Sequence, residues 1–215
     1  RDVLVDYLPD QLDDRAPRPC LGRGMGGHVE LAQRQRCLLR GLLQLIGWKI
    51  EGTLPNFPKM VVVVAPHTSN WDFPLGVAVL FALDLKLTFL AKHSLFRPPL
   101  GAVMRWLGGI PVKRVVREDT VSIEVDAFRR NDRWVLALAP EGTRKFVDKW
   151  RTGFYNIAMG AQAQIVPVGF DYSTKTIRIL ESVTPTGDAE REVAELRKLY
   201  RREWALKPEY FHEVD

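Results

Sequence analysis

The sequence predicts an α/β protein with a mainly parallel central sheet flanked by helices. Beyond Pro58, short runs rich in β-branched residues alternate with longer helical segments, the pattern of parallel strands joined by crossover helices. Two apolar runs, at 60–65 and 134–139, end in polar segments that begin with proline, and ligand-binding loops of such sheets follow strand ends. With 215 residues, 46% of them hydrophobic, the chain can close a core without disulfides or metal.

The start of the chain differs in character from the rest. Residues 1–28 contain three prolines and four clustered glycines, which predicts an irregular leader. The glycine spacing at 22–27 matches a dinucleotide-binding pattern, but no strand precedes it, which favours a flexible loop. Between residues 30 and 48, leucine and isoleucine recur at helical spacing with arginines mostly opposite. This amphipathic helix fits either the membrane interface or the domain core.

The remaining elements follow from the alternation of short β-rich runs with helical stretches. Strands are predicted at 60–65, 86–91, 109–113, 133–139, 164–171 and 175–180. Helices are predicted at 72–83, 98–107, 118–130, 153–162 and 188–205. Together with the N-terminal helix they form one predicted domain, residues 29–215, which follows the leader.

Composition limits the kinds of binding partner and the cellular compartment that the sequence predicts. A net charge of +5 predicts attraction to phosphate on lipid, nucleic acid or a small substrate, and charge alone does not choose among them. The longest apolar stretches are about half the ~20 residues that a membrane-crossing helix needs. Cys20 and Cys37 show neither metal-ligand spacing nor the density of a secreted scaffold, and no secretory signal is recognised, which predicts a cytoplasmic protein. Four histidines, none in a metal-binding motif, predict no metal site.

A histidine and an aspartate follow the strand predicted at 60–65, in the segment Pro-His-Thr-Ser-Asn-Trp-Asp at 66–72. An unperturbed pKa of about 6.5 suits a histidine to accept a proton from an attacking hydroxyl. Asp72 lies five positions after His67, so a turn can bring its carboxylate to the imidazole, fix the tautomer and stabilise the imidazolium. Such a pair alone is more often a capping or surface arrangement. A second polar turn, at 140–144, follows the run 134–139 and strengthens the catalytic interpretation.

Four blocks in this order resemble the glycerophospholipid acyltransferase family, whose bacterial members include 1-acylglycerol-3-phosphate acyltransferase. They are residues 67–72, Gly-Ile-Pro-Val-Lys-Arg at 109–114, Pro-Glu-Gly-Thr-Arg at 140–144 and Ile-Val-Pro-Val-Gly at 165–169. The sequence Pro-His-Thr-Ser-Asn-Trp-Asp-Phe at 66–73 resembles that of a short bacterial branch of the family. The resemblance implies that His67, oriented by Asp72, is the general base for transfer of a fatty acyl group from acyl-CoA or acyl carrier protein to lysophosphatidic acid or a related lysolipid. It implies direct attack, with no acyl-enzyme and no cofactor besides the thioester co-substrate.

The same resemblance implies how the acceptor is held. The turn at 140–144, with Glu141 in it, holds the acceptor. Arg144 and the backbone donors near Gly142 and Thr143 face the acceptor phosphate, and a planar guanidinium matches phosphate oxygens well. The alternative for Arg144 is an ion pair with Glu141 that only braces the turn. Arg114 matches the family's phosphate-binding arginine.

Three further basic residues are candidates for the phosphate site. Lys113 replaces the acidic or amide residue that relatives usually have before the arginine, and it is either a further anion contact or a solvated lysine. Lys92 ends an apolar run, as the motif residues do, and Arg151 stands where relatives often have a basic residue. Pro66 also departs from the family pattern, because many relatives have asparagine at this position.

The predicted partners are the thioester donor, a lysolipid acceptor and the inner face of a membrane, with no nucleic acid. Two alternatives stay open at this point. The same chemistry can act on glycerol-3-phosphate or another lipid acceptor in phospholipid biosynthesis. A non-catalytic basic module that binds anionic membrane or nucleic acid would also explain the net charge, but it gives no reason for four ordered motifs.

Overall fold

The computed structural model describes residues 41, 43–112 and 117–214, and of residues 117–119 it describes the backbone alone. The predicted leader, the glycine pattern at 22–27, both cysteines and most of the predicted N-terminal helix lie outside these residues. Residues 41 and 43–45 are helical, and a turn at 46–47 ends that helix before the predicted boundary at 48.

Seven strands of the described chain form one sheet. They are β1 (Lys49–Glu51), β2 (Lys59–Ala65), β3 (Thr88–Lys92), β4 (Gly109–Val112), β5 (Trp134–Leu138), β6 (Gln164–Asp171) and β7 (Thr176–Ile179). Their order across the sheet is β1-β7-β6-β2-β5-β3-β4. All neighbouring strands are parallel except β6 and β7, so the predicted mainly parallel sheet is confirmed. The three-residue β1 was not predicted because the helical pattern before it was extended through Trp48.

Besides the helical residues 41 and 43–45, five helices flank the sheet within the described residues. They are α1 (Asp72–Leu83), α2 (Leu100–Trp106), α3 (Arg117–Arg130), α4 (Gly153–Ala161) and α5 (Ala189–Lys198). The helix predicted at 188–205 is shorter, because the chain leaves α5 at Leu199 and resumes only as a 3-10 turn at Arg202–Trp204. The buried Tyr200 hydroxyl donates to the carbonyl of Val63 at 2.8 Å. This contact with β2 ends the helix, although the helical pattern of the sequence continues.

Strand β2 is the centre of the core because both of its faces are covered. Val61, Val63 and Ala65 pack with α3, α4 and α5, including Phe128, Phe154 and Leu196. Met60 and Val62 point the other way and pack with α1 and β6. A strand buried on both faces has a continuous apolar sequence, as this one does. The end of β2 is therefore held from both sides of the sheet.

The topology brings the predicted motifs to one edge of the sheet. From β2 the chain proceeds outward through α1, β3 and α2 to β4, then returns through α3 to β5 and through α4 to β6. Strands β5 and β6 are the two neighbours of β2 and run parallel to it, so their carboxyl ends lie side by side. In open α/β sheets a crevice outside the carboxyl ends, where the winding reverses, binds ligands. Residues 66–72 and 139–144 leave adjacent strands at this edge.

Candidate active site

The predicted histidine and aspartate are in contact. Asp72 is the first residue of α1, and its buried Oδ2 lies 2.9 Å from Nδ1 of His67. The same oxygen accepts a 2.9 Å hydrogen bond from the backbone N–H of Ser69, which closes the turn between the two side chains. The imidazole is 22% exposed. Because Nδ1–H is held by the carboxylate, Nε2 is the nitrogen left to accept a proton.

Glu141 connects the second polar turn to the first. Its Oε2 accepts a 2.8 Å hydrogen bond from the backbone N–H of His67, 74 positions away in the chain. The carboxyl group is buried, and Oε1 has no hydrogen-bond partner among the described residues. Burial raises the pKa of Glu141 to about 8, although the His67 N–H bond opposes that shift. Glu141 therefore faces the main chain of His67 from inside the protein.

The side chain of Arg151 packs on the turn at 140–144 at the position of Gly142. Gly142 has a φ of +65°, and its N–H donates to the carbonyl of Ala139 at 3.1 Å. A Cβ at this position would lie 2.8 Å from Nε and 3.0 Å from Cζ of Arg151. The guanidinium of Arg151 thus lies against the main chain of the turn, and a side chain at position 142 would displace it. The backbone N–H of Arg151 also donates to the carbonyl of Pro140 at 3.0 Å.

A sequence model of the family described as Acyltransferase matches residues 50–171. The match covers more than half of the chain, from the middle of β1 to the end of β6, and includes both polar turns. The chain belongs to this acyltransferase family. The general chemistry of the domain is therefore acyl transfer, which requires an acyl donor and a lipid acceptor. No match was found among the curated proteins with which the sequence was compared.

The remaining predicted residues of the acyltransferase domain are placed as follows. Arg144 is exposed and makes no hydrogen bond or ion pair with any described residue, so the predicted alternative, a brace to Glu141, does not form. The Thr143 hydroxyl accepts a 3.4 Å hydrogen bond from the backbone N–H of Lys145. Lys92 is exposed at the end of β3, on the same sheet edge, with β5 between it and β2. Lys113 and Arg114 lie outside the described residues.

The described part of the acyltransferase has neither a metal-binding cluster nor a membrane-spanning helix. In residues 41, 43–112 and 117–214 no group of three or more His, Cys, Asp or Glu side chains is arranged to hold a metal ion. Across the same ranges no helix combines the length and apolar character that a bilayer span requires.

Tyr172 completes the site, and the sequence analysis missed it. Its hydroxyl donates a 2.7 Å hydrogen bond to Oδ1 of Asp72, 100 positions earlier in the chain. Burial raises the pKa of Tyr172 above its usual range, and the adjacent Asp72 carboxylate adds to that shift, so the phenol keeps its proton. Tyr172 directly follows β6. Its position at a strand end is the same signal that indicated His67, but a tyrosine after an apolar strand is also typical of core packing.

We expect Tyr172→Phe to lower the turnover number about fivefold, the effect of losing one hydrogen bond that contributes about 1 kcal/mol. The ring should stay in place because it packs edge-on against Trp48 at 5.1 Å. Because the Asp72 carboxylate loses a donor, the pH profile of kcat/KM should also shift, which a purely structural role would not cause. The exposed Tyr210 provides the control, Tyr210→Phe. A wild-type rate and profile in Tyr172→Phe would contradict a positioning role.

Proposed function

We propose that this acyltransferase moves a fatty acyl group from acyl-CoA or acyl carrier protein to the hydroxyl of lysophosphatidic acid or a related lysolipid. The observation that carries the proposal is the 2.9 Å contact between His67 Nδ1 and Asp72, with the imidazole at the edge where the turn at 140–144 also lies. We place the protein in the cytoplasm, acting at the inner face of the membrane.

The chemical step is a direct transfer. The acceptor hydroxyl gives its proton to Nε2 of His67 while its oxygen attacks the thioester carbonyl. Asp72 stabilises the imidazolium through Nδ1–H, and Tyr172 holds Asp72 from the other side. The tetrahedral intermediate then collapses, the carbon–sulfur bond breaks, and the imidazolium returns a proton to the leaving thiolate. General-base catalysis of this kind contributes about 10²- to 10⁴-fold.

The charges around the turn at 140–144 support an acceptor that carries phosphate. The guanidinium of Arg144 is exposed and has no partner among the described residues, while that of Arg151 packs on Gly142. A guanidinium binds phosphate oxygens through two parallel hydrogen bonds. The raised pKa of Glu141 keeps its carboxyl largely neutral at pH 7, so it does not repel an anion bound above it. Lys113 and Arg114 are proposed to add to this site, and Lys92 to contribute more weakly.

An acceptor panel tests the proposal. Thioester-dependent product is measured by mass spectrometry with lysophosphatidic acid, glycerol-3-phosphate, lysophosphatidylcholine and monoacylglycerol, using radiolabelled acyl-CoA for rates. We expect lysophosphatidic acid to give the highest kcat/KM. Turnover of glycerol-3-phosphate alone would move the proposal to that acceptor. Salt-sensitive binding to duplex DNA with no thioester consumption would contradict an enzymatic function altogether.

We expect Arg144→Ala to raise KM for lysophosphatidic acid at least about tenfold, because a charge-assisted contact to phosphate is lost. The turnover number should change much less, since the base and its partner stay in place. The effect should be absent with monoacylglycerol, which has no phosphate. Arg129→Ala is the matched control, because Arg129 is an exposed arginine on α3. An equal rise in KM for acceptors with and without phosphate would exclude this role for Arg144.

A further inference from the structure

Helix α1 is apolar on nearly all sides but only partly buried. Among its 12 residues, Asp72 is the one charged side chain, and the buried positions are Asp72, Leu75, Val79 and Ala82. Helices that are apolar all round normally lie inside a core or in lipid. The outer side of α1 includes Phe81, whose exposed ring packs at 5.9 Å from the ring of Trp106 in α2. The apolar surface of α1 thus continues onto α2.

Helix α2 presents an apolar side of its own to the outside. Leu100, Val103 and Trp106 follow one another at intervals of three and are 46%, 49% and 65% exposed. Side chains three apart lie along one side of a helix. The opposite side is buried through Gly101 and Met104. Phe81, Leu100, Val103 and Trp106 therefore form one exposed apolar surface, called here the α1–α2 surface.

Basic residues predominate among the described charges that follow α1 and flank α2 in the chain. From Leu85 to Val112 the sequence contains no Asp or Glu and has four basic residues, which are Lys86, Lys92, Arg97 and Arg105. All four are exposed. Asp84, at the end of α1, is the one acidic residue of the sequence from 73 to 117. Exposed apolar side chains with a tryptophan and a basic margin are the combination that binds anionic bilayers.

We propose that the α1–α2 surface docks the protein on an anionic lipid bilayer, with α1 and α2 lying along the membrane. A second copy of this chain fits the surface poorly, because a symmetric contact would place the basic margins against each other. The inference deepens the proposed function and rests on it for its purpose. Helix α1 begins at Asp72 beside His67, and the exposed Trp71 precedes it, so an acceptor held in the bilayer along α1 is close to the base.

Vesicle binding of the full chain tests the docking surface. Flotation is measured with phosphatidylcholine vesicles that contain or lack phosphatidylglycerol. The variant Leu100→Ser/Val103→Ser/Trp106→Ser is expected to bind anionic vesicles at least about tenfold more weakly, because three apolar side chains no longer leave water. Ile123→Ser/Leu199→Ser is the matched control, since both residues are comparably exposed on or just after helices of the opposite sheet face, and its binding should equal wild type.

A charge variant separates the two contributions to docking. Arg97→Gln/Arg105→Gln should weaken binding to anionic vesicles by about fivefold per charge and leave binding to pure phosphatidylcholine unchanged. Wild-type vesicle binding by the triple serine variant would overturn the proposal. A dimer of the wild-type protein in the absence of lipid, lost in the triple variant, would also overturn it in favour of an interface between copies.

Activity on a water-soluble substrate distinguishes failure of docking from failure of the proposed function. With a short-chain lysophosphatidic acid below its aggregation limit and no vesicles, the triple variant should keep the wild-type turnover number. If the wild-type protein acylates this acceptor but the triple variant binds vesicles normally, the docking surface is wrong and the enzymatic function stands. If the wild-type protein consumes no thioester with any acceptor while the vesicle results hold, the proposed function is wrong and the docking surface stands.

Discussion

His67→Ala is expected to lower the turnover number for acyl transfer by about 10²- to 10⁴-fold, the contribution of a positioned general base. The loss should fall on kcat, because in the proposed mechanism the imidazole acts on the hydroxyl proton, and the proposed phosphate contacts of the acceptor remain. The imidazole is partly exposed, so its removal leaves no large cavity and the melting temperature should change little. Initial rates at saturating thioester measure the effect.

The partner and control variants sharpen this test. Asp72→Asn should cause a loss of the same order, because an amide does not stabilise the imidazolium and can hold the wrong tautomer of His67. His93→Ala removes an exposed histidine that follows β3 and should leave the rate unchanged. Unchanged turnover in His67→Ala, with circular dichroism and melting temperature like those of wild type, would exclude His67 as the base.

Two variants of Glu141 are expected to separate the effect of its charge from the effect of its hydrogen bond. Glu141→Ala should lower the free energy of unfolding by about 1–3 kcal/mol, because the backbone N–H of His67 loses its acceptor. Turnover should fall as well, since that bond fixes the turn that positions the imidazole. Glu141→Gln keeps an acceptor oxygen and a neutral group, so its stability and turnover should stay near wild type. Chemical denaturation and initial rates measure both effects, and equal losses in the two variants would contradict this account.

The raised pKa of Glu141 also predicts a pH dependence of stability. In the folded protein the Glu141 carboxyl keeps its proton up to about pH 8, whereas in the unfolded chain it releases the proton near the ordinary pKa of 4.5. The folded state binds more protons within this window, so the free energy of unfolding should fall as pH rises from about 4.5 to 8. Burial raises the pKa of Glu124, on α3, to about 7 and adds a contribution of the same sign.

Glutamine variants assign the two contributions. Glu141→Gln should flatten the dependence up to about pH 8, and Glu124→Gln should flatten it up to about pH 7. Both carboxyls are buried, and each has one oxygen without a partner among the described residues, so both must be replaced to remove most of the slope. A slope in Glu141→Gln identical to that of wild type would show that this carboxyl ionises normally.

The sequence by itself determined the elements around the site and the contact between His67 and Asp72. The runs that became β2, β3, β4, β5 and β6 are apolar and short, and the polar residues 66–72 and 140–144 directly follow two of them. These features are local, because strand propensity and the turn from His67 to Asp72 depend on neighbours in the chain. The family resemblance rested on the same local blocks and is confirmed by the match at 50–171.

Only the tertiary structure decided which distant groups meet. The sheet order puts β2 between β5 and β6, and this brings Glu141 to the main chain of His67 and Tyr172 to the carboxylate of Asp72. It also left Phe81 of α1 exposed in the described structure, although the apolar sequence of this helix is that of a core helix. Contacts across 74 or 100 positions depend on strand order, which the composition of a single segment does not encode.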